Sequence, residues 1–84
     1  MYQLKILHKA EKDQNTLEDK LFEAVDREIR SLSENPRPNG CAKLSDEENG
    51  YRIRVRHIRI LYQIDDKAKT VIIYRVKHRK EVYR

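Results

Sequence analysis

The chain has one cysteine, no tryptophan, two glycines and two prolines in 84 residues. Cys41 alone cannot close an intramolecular disulfide. No stretch of about 18 apolar residues exists, so no membrane-spanning helix is expected. The opening residues, MYQLKILHKAEKD, carry charges where an export signal has an apolar core, so no signal peptide is expected. A small chain without disulfides or an export signal is expected to be cytoplasmic. The three histidines, His8, His57 and His78, lack metal-ligand spacing, and neither a metal nor a cofactor is expected. Eighty-four residues make a single domain, 1–84, with a modest core.

What the chain does have is charge, unevenly placed. Residues 1–50 hold 8 Lys+Arg against 11 Asp+Glu, whereas residues 51–84 hold 11 against 3, for the overall +5. A strongly basic half reads either as a surface facing a polyanion or as a solvated basic face.

Hydrophobic periodicity places the elements. Residues 2–7, YQLKIL, alternate as a short strand. Residues 8–14 are helix-compatible, but Ala10 alone supplies an apolar face. Thr16 followed by Asp19 resembles a capping box. Leu17, Leu21, Phe22, Val25, Ile29 and Leu32 then form the apolar stripe of an amphipathic helix over residues 17–33. Asn35-Pro36-Arg37-Pro38-Asn39-Gly40 ends it. Leu44 is the expected core anchor between this loop and the next, residues 46–50. From Tyr51 the pattern is strands. Tyr51, Ile53 and Val55 share one face, and Arg52, Arg54 and Arg56 share the other. The apolar phase then moves to Ile58, Ile60, Tyr62 and Ile64, which requires a tight hairpin around residues 56–58. Residues 65–69 turn again. Residues 70–76 are nearly continuously apolar, as in a strand covered on both faces. The expected fold class is α+β: an N-terminal strand, one or two helices, then a three-stranded antiparallel meander in one sheet.

Alternate residues on a strand lie about 6.5–7 Å apart, close to the spacing of successive phosphates on a nucleic-acid strand. Arginine grips phosphate with a planar fork and keeps its charge at any relevant pH. Arg59, Arg75, Arg79 and Lys80 can converge on the side that Arg52, Arg54 and Arg56 occupy, and five tyrosines offer stacking surfaces for bases. RNA carries its own nucleophile, the 2′-OH. Preorganised cations would stabilise the charge of the transition state. Arginine cannot readily transfer protons, so His57, His78 or a tyrosine among cations, Tyr83 best placed, would have to do so. The residues alone carry nucleic-acid binding further than they carry cleavage.

Three segments, ENPRPNG with the following KL (34–44), YRIRV with LYQIDD (51–66), and HRKEVYR (78–84), resemble the RelE/ParE superfamily of bacterial and archaeal type II toxins. The resemblance runs the full length. It implies a compact RelE-like fold and a metal-independent endoribonuclease, an mRNA interferase that cleaves mRNA in the ribosomal A site. By position it implies catalytic roles for Arg52, Arg54, Arg59, Arg79 and Tyr83, and substrate contacts from Arg56, His78 and Lys80. It implies two partners: mRNA on the ribosome, and a cognate antitoxin protein that covers the same face. ParE-type members share the fold and inhibit DNA gyrase instead. Two positions depart from the pattern. Arg56-His57-Ile58 stands where many relatives have glycine in the hairpin, so no glycine is present to take a positive φ. Lys77 stands where many have glycine, which adds charge beside the site.

Overall fold

The structure, a computed structural model, describes residues 1–78. The elements are β1 (Gln3–Ile6), α1 (His8–Asn15), α2 (Asp19–Ser31), β2 (Ala42–Lys43), β3 (Gly50–Val55), β4 (Ile58–Asp65) and β5 (Thr70–His78). The strands form one sheet in the order β1-β5-β4-β3-β2. β3, β4 and β5 make the expected antiparallel meander. β1 joins it in parallel beside β5, and the short β2 extends it beside β3. The fold is α+β, with two strands flanking the meander.

The stripe on α2 meets one face of the sheet. Leu21, Val25, Ile29 and Leu32 are buried in a single core with Ile53, Ile58, Ile60, Tyr62, Ile64, Val71, Ile73 and Val76. The helix starts two residues later than the stripe suggests. Glu18, not Thr16, caps it: the Glu18 carboxylate accepts the Leu21 N–H at 2.7 Å, where a negative charge also suits the positive end of the helix dipole. Thr16 instead closes α1, its hydroxyl donating to the Asp13 carbonyl at 2.7 Å.

α1 is the helix with the thin apolar face, and a tertiary contact holds it. β1 stops at Ile6, so among the described residues β5 has no strand neighbour on that side beyond Ile73. The Asp13 carboxylate fills the gap, accepting the Val76 N–H at 3.0 Å and two Arg75 hydrogen bonds at 2.7 and 3.1 Å.

Two further expectations change in detail. Leu44 is only half-buried, and Cys41 packs against the core in its place. The loop after α2 is pinned by the buried Tyr62 hydroxyl, which donates to the Pro36 carbonyl at 2.8 Å. The apolar run in β5 arises from a register shift rather than from two fully covered faces. Tyr62 pairs with Ile73 and Leu61 with Arg75, leaving Tyr74 as an extra residue. The inward phase therefore moves from Val71 and Ile73 to Val76.

The hairpin forms where the phase flip requires it. Val55 pairs with Ile58, which leaves Arg56 and His57 as the turn. Arg56 takes the positive φ, 54°, that glycine usually supplies.

Candidate functional site

The sheet face away from the helices carries the arginines. On β3, Arg52 is half-buried and Arg54 exposed; on β4, Arg59 is 1% exposed. The register sets Arg54 opposite Arg59, and Arg59 opposite Lys77 on β5. Three cations therefore stand in a row across three neighbouring strands. Like charges in directly opposed positions cost stability unless a negative group lies among them. Arg52 lies one turn of the pleat away, on the same face.

Arg52, Arg54 and Arg59 line a cavity of about 130 Å³ together with Gly40 and Ala42. Gly40 adopts a φ of 92°, so the loop that walls the cavity needs glycine there. Neither Gly40 nor Ala42 stood out in the sequence as a site residue. The only hint was their closeness to the turn-forming Pro-Arg-Pro-Asn stretch.

The opposite end of this face is acidic. Residues 45–49 fold over it, and Glu47 accepts a hydrogen bond from the Tyr74 hydroxyl at 2.9 Å. Burial and the Glu47 carboxylate both push the Tyr74 phenol well above its usual value. Gly50 permits the close approach: a Cβ there would sit 2.8 Å from the Glu47 Cβ. A second cavity, of about 220 Å³, is lined by Glu48, Asn49, Gln63, Ile64, Asp65 and Ile72. A polyanion on this face is steered toward the arginine end.

Two sequence expectations are corrected. Arg75 does not join the arginine row; it is paired with Asp13. Burial works to raise the Asp13 carboxyl, but the Arg75 hydrogen bond, the Val76 N–H and the charges of Arg75 and Lys77 outweigh it. The group is held below the usual carboxylate range. Nor are Tyr2, Tyr51 and Tyr62 open faces for bases. Tyr62 is buried and stacks on Tyr51, with centroids 5.9 Å apart. The Arg37 guanidinium covers Tyr51 at 5.2 Å. Tyr2 donates to Asp66 at 2.6 Å and lies under Lys69. Arg37 completes the cluster with two hydrogen bonds to Asp66, at 3.3 and 2.9 Å. The NPRP and IDD segments thus meet in a structural clasp at the far end of the molecule.

Arg56 and His57 are exposed at the hairpin tip. His78 ends β5 and stacks on His57, with centroids 5.3 Å apart and ring planes at 28°. Arg79, Lys80 and Tyr83 lie outside the described residues. The described cavity walls contain no group suited to moving a proton: they are Gly40, Ala42 and three arginines. This part of the site supplies charge and shape.

The sequence matches the profile of the "ParE toxin of type II toxin-antitoxin system, parDE" over residues 3–83. The chain belongs to this toxin family, within the RelE/ParE superfamily. Solved relatives carry the same fold. The toxin–antitoxin complex RelBE2 from Mycobacterium tuberculosis contains a chain 31% identical, with 93% of this chain and 98% of that one covered and a TM-score of 0.81. The isolated E. coli RelE toxin is 28% identical over 99% of this chain and 92% of its own, at a TM-score of 0.81. The intact E. coli RelBE complex matches at 25% identity over 93% and 96%, also at 0.81. No curated protein matches the chain.

Proposed function

We propose that this toxin is a ribosome-dependent mRNA endonuclease. The observation that carries the reading is the row Arg54–Arg59–Lys77 beside a cavity shared with Arg52. In the reaction, the 2′-oxygen of a nucleotide attacks the adjacent phosphorus while the bond from phosphorus to the 5′-oxygen breaks. The products are a 2′,3′-cyclic phosphate and a 5′-hydroxyl. The 2′-OH proton passes to a base, and the leaving 5′-oxygen takes up a proton. Arg52, Arg54, Arg59 and Arg79 stabilise charge on the phosphoryl oxygens, Arg59 from beneath the surface. Tyr83, in a stretch of sequence that also holds Arg79, Lys80 and Arg84, takes part in proton transfer. Arg56, His78 and Lys80 contact RNA. A cognate antitoxin holds the toxin in check by covering the arginine face, in keeping with the relatives solved as toxin–antitoxin complexes.

Mapping mRNA 5′ ends by primer extension in a reconstituted translation reaction tests this. The expected result is new ends inside translated codons, absent without ribosomes and lost in Tyr83→Phe. The ParE profile favours a second reading, inhibition of DNA gyrase. Intact mRNA together with loss of supercoiling activity by purified gyrase would establish it in place of the nuclease.

A further inference from the structure

His57 and His78 form the exposed ring stack among the described residues. The fold brings them together for two reasons. Ile58 pairs with His78, so the residue just before Ile58 and the last residue of β5 meet at one end of the sheet. The positive φ of Arg56 then turns the chain tightly enough to set His57 over that end. His57 directly follows Arg56 and lies three residues from Arg54, and both of these arginines are exposed. Three of the tyrosines that a sequence reading offers for base stacking are engaged: Tyr51 packs against Tyr62 and Arg37, Tyr2 lies under Lys69, and Tyr62 is buried.

Cations that track a phosphate backbone, next to a solvent-facing ring, are the means by which proteins hold single-stranded nucleic acid with little regard to sequence. Histidine is among the rings on which unpaired RNA bases stack. We propose that His57 and His78 form a nucleobase-stacking platform. An unpaired base of single-stranded RNA, its phosphates on the exposed Arg54 and Arg56, stacks on the outer face of His57. His78 shares the inward phase of Ile58, so the platform sits at the rim of the sheet and the RNA passes over the hairpin tip. His78 backs the ring of His57 and fixes its orientation before RNA arrives, which reduces the ordering needed on binding. The inference rests on reading the arginine row as an RNA interface; it does not require cleavage.

The test is the affinity of full-length protein, without ribosomes, for a labelled single-stranded oligoadenylate and for an abasic ribose-phosphate oligomer of the same length. His57→Ala is expected to weaken binding of the intact oligomer roughly tenfold and leave the abasic affinity unchanged. His57→Phe, which keeps a ring, restores the intact affinity. Arg54→Ala weakens both oligomers alike. Three results would overturn the platform: an equal loss on both oligomers in His57→Ala, no loss on the intact one, or no binding of it by the wild type. Base-dependent binding alongside uncleaved mRNA on ribosomes would remove the nuclease and leave the platform standing.

Discussion

Arg56 shows how much one residue can decide. The turn between β3 and β4 has two residues, and Arg56 carries a φ of 54°. An L-residue with a side chain is less stable there than glycine by about 1–2 kcal/mol. Arg56→Gly is therefore expected to raise the denaturation midpoint, by an amount equivalent to about 0.5–1 kcal/mol once the extra freedom of glycine in the unfolded chain is counted. An unchanged or lower midpoint in urea denaturation would mean that Arg56 makes a compensating contact. The same residue keeps a cation and the His57 ring at the tip, so some stability is given up where RNA contact is proposed.

Among the elements, α1 depends most on a single contact. Asp13 ties it to the edge of β5 through Arg75 and the Val76 N–H, and this ion pair is less than a quarter exposed on either side. The Asp13 carboxyl is more acidic folded than unfolded. Its contribution is therefore fully present above the unfolded carboxylate value, about 4, and is lost as pH falls through the lower folded value. Asp13→Asn is expected to lower stability by about 1–3 kcal/mol at pH 7. It should also flatten the fall in stability between neutral and acid pH, read from urea midpoints across that range. A pH profile identical to wild type would assign the acid sensitivity elsewhere. The elements also show what a sequence discloses. The α2 stripe and the β3–β4 phase flip are local periodicities, and both were legible. The parallel partner of β1, the two-residue β2 and the Asp13–Arg75 pair depend on residues far apart in sequence. No periodicity encodes them, and so Arg75 was grouped with the arginines by its charge alone. At the site, Arg52, Arg54 and Arg59 were legible as a basic strand pair. Gly40 and Ala42 were not, because they matter by position rather than by chemistry.

Across the molecule, the fold sorts charge more finely than the sequence halves suggest. One face of the sheet is used by the core, and the other runs from Glu47, Glu48 and Asp65 at one end to Arg52, Arg54, Arg59 and Lys77 at the other. A single RNA strand held by the accessible Arg52, Arg54 and Lys77 has about three phosphates neutralised. The logarithm of its affinity should then fall with the logarithm of salt concentration at a slope near −2. Arg54→Ala should reduce the steepness by about 0.7. A salt-independent affinity would contradict a phosphate-binding face. A shared fold does not fix the activity within the RelE/ParE superfamily, so the proposal rests on the chemistry of the open face.

The arginine row is claimed to stabilise the transition state of mRNA cleavage, and the single-turnover rate on mRNA-programmed ribosomes measures that directly. Arg54 is exposed and outside the core, so Arg54→Ala leaves the fold intact, which circular dichroism verifies. The account predicts cleavage by the wild type and a rate roughly 10²–10³ lower in the variant at saturating toxin. Equal rates for the two proteins, or no cleavage by the wild type, would contradict it.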